Sequence, residues 1–378
     1  VVRFFDLVCQ PHAKLLTTVQ NHVLLILNRF NFEVIVATIR DVAEHAGVSV
    51  GTVSHVLNGS SLVREETRLR VLKAIEALSY HPKAAARSLS TQRADTIGMI
   101  RTELRPDAAP TEQDPFILEL IAGISGAAMN DYIGLTFWTV PVGPGETELY
   151  QRVVRGRQVD GLILFAPRRN DPRIAYLQQS NFPFVLFGQF EQSDGIHWVD
   201  VDGSSGVEMA VDHLAALNHQ HIAYLAPPSE QQLAQRRWEG FEAGMHRNHL
   251  RIDPELIVEG DFSEYSGYRC ARLLLDRPSP PTAIVCSNDR MAFGVMRAVQ
   301  ELGLSVGRDV SVVGFDDIAM ARHAHPPLTT VYQPVREIGQ LLFQLLQALI
   351  DGTSTEGLSG QLIKPVLRVR ESTGRPRS

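Results

Sequence analysis

The chain holds only three cysteines in 378 residues, Cys9, Cys270 and Cys286, with no C-x-x-C pair among them. Three cysteines cannot all pair within one chain, and this spacing supplies neither a disulfide framework nor a zinc ligand set, which fits a reducing compartment. G-x-S-x-G, H-E-x-x-H, a phosphate loop and G-x-G-x-x-G are all missing, so no catalytic residue is assigned and an enzyme is not expected. Long apolar runs are missing too. The best candidate, Val23 to Leu27, is bracketed by Asn21, His22, Asn28 and Arg29 and falls well short of the roughly 18 residues of a membrane span. No small-residue cleavage site follows it. A cytoplasmic protein without a membrane partner is the expectation.

What is present is 44% hydrophobic and 21% charged residues, the balance of a globular chain able to bury more than one core. The formal net charge of −6 is uneven. Residues 38–93 carry eight lysines and arginines against five acids, a net +3, whereas residues 1–37 carry +1 and residues 94–378 carry −10. A small basic head on an acidic body points to a polyanion as the head's partner. The chain opens on valine and residues 1–37 show no functional pattern, so they are expected to be a non-native or disordered extension.

Thr38 and Asp41 form a capping-box pattern ahead of Ile39, Val42, Ala43 and Ala46 at helical spacing, and Gly47 ends that helix. Ser49 caps a second helix with Val53, Val56 and Leu57 on its apolar face and Asn58-Gly59 as its stop. A third, from about Glu66 to Ser79, offers Val71, Leu72, Ile75 and Leu78 to close a three-helix core. The second helix leaves Val50, Gly51, Ser54 and His55 off its buried stripe, as a recognition helix does when it enters a major groove. Thr52, Ser54 and Asn58 can donate to phosphates, and His55 is the one long hydrogen-bonding group available for base edges. "YHPKAAARSLSTQ", residues 80–92, adds about two turns of Ala-rich sequence, too short to hold a helix alone in water. Lys83 and Arg87 suit an anionic partner against which it would order, with Ala86 and Leu89 as its contacts and Leu89 as a minor-groove wedge. The other reading of this stretch is an interdomain linker with an incidental leucine.

From Thr96 short β-rich runs alternate with amphipathic helices: "TIGMI", Phe116 to Asn130, "LTFWTV", Glu146 to Arg155, "GLILFA", Arg173 to Gln179 and "FVLFG". The rhythm resumes with "IAYLA", "LIVEG", "TAIVCS" and "VSVVGF". It predicts parallel sheets covered on both faces, and a break near "GIHWVDVDG" predicts two lobes. Ligands of such sheets bind beyond the carboxyl ends of strands, where "SND" and "GFDD" lie, so a cleft between lobes is the expected site. On pattern alone Asp289, Asp316 and Asp317 read as helix caps and Arg237 as a solvated charge. His213, His219 and His221 read as surface histidines, lacking an acidic or cysteine partner at metal spacing, and no metal or other cofactor is expected. Val335 to Asp351 reads as a long helix. Its stripe of Ile338, Leu341, Leu342, Leu345, Leu346 and Leu349 can pack on a sheet and contribute to a subunit interface.

Taken together, "TIRDVAEHAGVSVGTVSHVLNG", "RLRVLKAIEALSYHPKAAARSLST" and "TIGMI", then "DPFILELIAGI", "VDVDG", "RRWEGFEAG", "SNDRMAFGVMRAVQELG", "DVSVVGFDD" and "PPLTTVYQP", resemble the LacI/GalR family of bacterial transcription regulators from Thr38 to about Arg375. The resemblance implies a small all-α helix-turn-helix head at residues 38–93, with a hinge helix at about 82–90. It implies an α/β body at residues 94–378, two-lobed and periplasmic-binding-protein-like, with parallel sheets. The implied function is a sequence-specific transcription repressor whose affinity for near-palindromic double-stranded operator DNA is set by a small effector, a sugar or sugar derivative. A homodimer or tetramer is implied, because a two-fold pair of heads reads a palindrome.

Carried over position by position, base reading falls on Val50, Gly51 and His55 and the minor-groove leucine on Leu89. The DNA-binding set is then Ser49, Val50, Gly51, Thr52, Ser54, His55, Asn58, Ala86 and Leu89. Effector hydroxyls fall on Arg237 of "RWEGF", Asn288 of "SND" and Asp316 of "GFDD", with Phe116 and Phe262 as aromatic neighbours. Gly51 is unusually bare for a base-reading position, and Gln189 ends "FVLFGQ" where many relatives carry a charge. The alternative function is a sugar-binding protein of the same body fold that does not bind DNA. Such a protein would need an export signal and would lack residues 38–93.

Overall fold

The computed structural model describes residues 37–57, 60, 62–78, 80, 93–103, 114–190 and 195–377. Contacts divide the chain into two units, one ending at Gln92 and one beginning at Arg93. Asn58, the expected hinge helix with Ala86 and Leu89, and residues 1–36 lie outside the described residues.

In the first unit, α1 (Ile39–Ala46) starts at a complete capping box. The Thr38 N–H donates to Asp41 Oδ2 at 2.7 Å and the Asp41 N–H donates to Thr38 Oγ1 at 3.4 Å. It stops at Gly47, whose φ of +62° is the left-handed conformation that glycine adopts without a Cβ clash. In α2 (Val50–Leu57), Ser49 Oγ accepts the Thr52 N–H at 3.1 Å. With α3 (Glu65–Ala77), these helices bury Val42, Val53, Val56, Val71, Ala74 and Tyr80. Leu72 is not part of this core. It is 47% exposed and Ala74 lies inside instead, because position 74 is one turn from Val71 on the inner face whereas position 72 is rotated about 100° away.

The second unit has two sheets. The first comprises β1 (Thr96–Glu103), β2 (Gly134–Pro141), β3 (Gly161–Phe165), β4 (Phe184–Phe187), β5 (Trp198–Val201) and β11 (Gln361–Ile363), all parallel, in the order β11-β5-β4-β3-β1-β2. Its helices are α4 (Pro115–Ala128), α5 (Pro144–Arg155), α6 (Pro172–Gln179) and α11 (Val335–Asp351). In β3, Ile163 enters the core shared with α4 and α11, while Leu162 and Leu164 enter the core shared with α5 and α6. Burial of both faces is why this strand reads as an unbroken apolar run.

The second sheet holds β6 (Ile222–Ala226), β7 (Ile257–Glu259), β8 (Ala283–Cys286), β9 (Ser311–Asp316), β10 (Thr329–Tyr332) and an antiparallel edge strand, β12 (Val366–Arg368), in the order β12-β10-β9-β8-β6-β7. Helices α7 (Gly203–Ala216) and α8 (Gln232–Arg247) cover one face, and α9 (Glu264–Leu275) and α10 (Asp289–Glu301) the other.

The chain passes between the lobes three times: after β5, between β10 and α11, and between β11 and β12. The Asp202 N–H donates to Ile363 O at 2.9 Å, tying the first passage to the third. The C-terminal helix therefore returns to the first lobe, where Ile338, Leu342, Leu345 and Leu346 are fully buried.

The surface assignment fails for His219, which is 1% exposed. Its ring lies between Thr282 Oγ1 at 2.9 Å, Ser311 Oγ at 3.0 Å and Gly374 O at 2.8 Å, in a polar socket closed by the C-terminal segment. His213 is half-buried against Thr373 Oγ1 at 2.9 Å, and only His221 is exposed.

Candidate functional sites: a helix face and a cleft

On the head, Val50, Gly51 and His55 of α2 are exposed, while Val53 and Val56 face the core. Thr52 and Ser54 are half-buried, and the Thr52 hydroxyl already shares a hydrogen bond with Ser49 Oγ at 2.9 Å. A shallow depression runs beside this face, lined by Ser49, Thr52 and His55 from one side and Arg64, Thr67 and Arg70 from the other. Sequence reasoning passed over those two arginines. Both are exposed, Arg64 just before α3 and Arg70 in its second turn, and they put positive charge beside the depression next to α2.

In the body, a cavity of about 630 Å³ lies between the lobes. Phe116, Arg237, Phe262, Asn288 and Asp316 all line it, though they come from widely separated parts of the chain. Arg237 sits in the second turn of α8 and is only 9% exposed, against its reading as a solvated charge. Its guanidinium lies 3.9 Å from the Phe315 ring centroid and donates from Nη1 to Ser287 O at 2.5 Å. Its buried Nε has no hydrogen-bond partner among the described residues. A buried donor of this kind is costly unless something fills the role.

Asn288 caps α10, with Oδ1 accepting the Met291 N–H at 2.9 Å and Nδ2 donating to Phe262 O at 3.0 Å. One amide hydrogen and one lone pair remain for a ligand. Phe116 stacks on Phe187 with centroids 5.8 Å apart, forming an aromatic wall on the first-lobe side.

None of the three aspartates read as helix caps makes a capping bond. Asp289 is fully buried, accepting from the Thr330 hydroxyl at 2.5 Å and the Ile318 N–H at 2.8 Å, so it braces the loop after β9. Burial first, and then Asp317, push its pKa up to about 7 against those two bonds. Asp316 ends β9 with φ +118°, a region nearly restricted to glycine. Its Oδ1 accepts from Gln333 Nε2 at 2.6 Å, a side chain on the second interlobe passage. Burial first, and the Asp289 charge second, raise the Asp316 pKa well above the ordinary range, while Arg237 opposes them. Asp317 is committed elsewhere, paired with Arg370 at 2.6 Å.

The rims of the cleft are joined. The Arg169 N–H donates to Glu230 O and the Gln232 N–H donates to Pro167 O, both at 2.9 Å, and Arg168 and Gln231 form an antiparallel bridge. The first-lobe side of this bridge is anchored by Arg168, whose Nη2 reaches Glu146 Oε2 at 2.7 Å and whose N–H reaches Asp171 Oδ2 at 3.0 Å. Elsewhere on the cleft Arg290 faces Asp114 at 3.6 Å. Among the described residues no cluster of His, Cys, Asp and Glu could hold a metal ion, and no helix is long and apolar enough to cross a membrane.

A three-helix unit with a free second helix, joined in one chain to a two-lobed body that encloses a polar cleft, defines a ligand-responsive DNA-binding regulator. Residues 38–83 match the model for bacterial regulatory proteins of the lacI family, and residues 211–373 match that for a periplasmic binding protein-like domain. The chain is 33% identical over 313 residues to the HTH-type transcriptional repressor PurR of Photorhabdus laumondii, covering 82% of this chain and 89% of that one. It is also 33% identical over 338 residues to the HTH-type transcriptional regulator CelR of Thermobifida fusca, covering 89% and 98%. Among solved structures, a Lac repressor dimer bound to operator and the anti-inducer ONPF is similar at TM-score 0.76 and 32% identity, over 90% of this chain and 99% of that one. A CelR–cellobiose complex is similar at TM-score 0.68 and 31% identity, over 89% and 99%. The chain belongs to the lacI family of bacterial regulatory proteins, and it is a DNA-binding transcription regulator.

Proposed function

We propose that this regulator is a cytoplasmic repressor that binds a near-palindromic operator as a homodimer and changes its grip when a small polyhydroxylated effector, a sugar or sugar derivative, enters the cleft. The observation that carries the effector reading is the buried Nε–H of Arg237, unpartnered among the described residues, beside the Asp316 carboxyl and the Phe116–Phe187 wall. A guanidinium donates to ring and hydroxyl oxygens, a carboxylate accepts from hydroxyls, and aromatic rings cover the apolar faces of a sugar. The cellobiose named with CelR supports this chemical class. Residues 38–93 form the operator-binding head, with a hinge at about 82–90 that includes Ala86 and Leu89, and residues 94–378 form the effector-binding and dimerising body. Ser49, Val50, Gly51, Thr52, Ser54, His55 and Asn58 make the head's contacts. No catalytic role is assigned to any residue.

Two measurements test this reading. Cellobiose and a set of neutral mono- and disaccharides are screened for a rise in melting temperature, since a ligand of the folded state stabilises it by mass action. At least one must bind and must alter operator affinity. Selection from random duplexes must return a two-fold symmetric consensus, and His55→Ala must relax one position per half-site by about 1–3 kcal/mol. An unchanged consensus removes His55 from base reading, and a chain that binds no duplex specifically refutes the head's assignment.

A further inference from the structure

Asp200 occupies the carboxyl end of β5, on the first-lobe wall of the cavity and just before the first interlobe passage. Both of its oxygens are held from behind by backbone: Oδ2 accepts the Gln189 N–H at 3.0 Å and Oδ1 accepts the Val201 N–H at 2.8 Å. The carboxyl is thus fixed in orientation while each oxygen keeps a free lone pair. Arg236 and Arg237 of α8 act on its charge from the second lobe, yet among the described residues neither closes to an ion pair with it. A carboxylate on one wall therefore faces guanidinium donors on the other, with open cavity between them.

We propose that Asp200 is the first-lobe anchor for effector hydroxyls, so that the ligand is gripped by one carboxylate from each lobe, Asp200 and Asp316, with Arg237 between them. This rests on the polyhydroxylated reading of the cleft and adds a requirement to it. The ligand must present hydroxyl donors on two separate edges, one toward each lobe. A compound with donors on one edge only reaches Asp316 or Asp200 but cannot bridge the lobes.

A second consequence concerns protons. Burial pushes the Asp200 pKa up to about 6, against the two backbone N–H groups and against Arg237 and Arg236, the charged groups that act on it. Hydroxyl donors favour the ionised form, so effector binding weakens as pH falls below that value. Each pH unit below it lowers the ionised fraction about tenfold.

The test is isothermal titration of the full-length protein with cellobiose, or with whichever neutral sugar the melting screen identifies, at pH 7.5 and pH 5. Wild type is compared with Asp200→Asn and with Asp316→Asn. The expected result is at least about tenfold weaker binding by Asp200→Asn at pH 7.5. Wild-type affinity falls at least roughly tenfold toward pH 5, and Asp200→Asn shows a shallower fall, the remainder belonging to Asp316 and Asp289, whose pKa values burial also raises. Equal affinity and an equal pH profile for wild type and Asp200→Asn overturn the proposal while leaving the cleft reading intact. If no neutral sugar binds a protein that still binds its operator, the cleft reading itself fails and takes the proposal with it. Should Asp200→Asn not fold, carbon-detected NMR of the wild-type Asp200 carboxyl decides. Its resonance must shift on saturation with the sugar, and an unmoved resonance overturns the proposal.

Discussion

Gln232→Pro tests whether the backbone bridge across the cleft behaves as a separable latch. Gln232 is the first residue of α8, where an N–H has no partner within its own helix, and this one donates to Pro167 O on the opposite lobe at 2.9 Å. Proline is well tolerated at that position, and Gln231 before it is already extended at φ −83° and ψ 142°, as a residue preceding proline prefers. The substitution removes one interlobe hydrogen bond and sets the ring Cδ against Pro167 O, where the N–H pointed, so it pushes the rims apart while leaving the helix start compatible with proline. Loss of the backbone bond alone is worth about 0.5–1.5 kcal/mol net, so a factor of about 2–13 is the least shift expected in the opening equilibrium. Amide hydrogen exchange reads this directly in the free protein. The Arg169 N–H, bonded to Glu230 O in the same bridge, must exchange faster by at least that factor. Core amides such as those of Leu225 and Ile284 must not change. Unchanged Arg169 protection refutes the latch. A parallel loss of core protection shows that the helix, and not the bridge, has been damaged.

Two further outcomes follow from buried titratable groups. For Asp316→Asn, the raised folded pKa of the wild-type carboxyl means that ionisation opposes folding. The variant's stability advantage must therefore be small near pH 4 and grow as pH rises toward neutrality, which melting curves across that range check; a constant difference contradicts it. Burial holds the His219 pKa below 6.5, so its favourable neutral state is fully populated above the unfolded value and stability is lost as pH falls below it. Wild type must lose melting temperature from pH 6.5 to 5 more steeply than His219→Gln, and parallel curves count against this.

Local rules were legible in the head. The capping box at Thr38 and Asp41 and the left-handed stop at Gly47 depend on neighbours within a turn, and both stand where the spacing placed them. Leu72 was misplaced because an apolar residue on a short helix can satisfy two adjacent stripes, and only the packing of three helices chooses between them. In the body, strand and helix alternation was plain, but periodicity cannot say which sheet a helix will cover. Hence the return of α11 to the first lobe was invisible. Arg237 is buried by Phe315 and Ser287, and His219 by Thr282, Ser311 and Gly374, all distant in sequence, so pattern alone made both solvated. The family resemblance placed Arg237 in the cleft, but it carried no signal for Asp200. Its alternation in "VDVDG" is that of any strand with one face toward solvent.

The three passages between lobes also set the order in which the protein can be completed on the ribosome. When β5 has been made, five of the first lobe's six strands exist, but Ile97, Met99, Ile163 and Val185 lack the cover of Ile338, Leu342, Leu345 and Leu346. That cover is synthesised only after β6 through β10 of the second lobe. The second lobe in turn waits for β12 and for Ser372 and Gly374, which bond to Val312, Thr329 and Ser311 near the end of the chain. Neither lobe is thus a contiguous fragment that can close during elongation, although chains generally fold from the N-terminus as domains emerge. A half-made first lobe exposes an apolar face throughout synthesis of the second, and a stop codon before Val335 leaves both lobes unfinished.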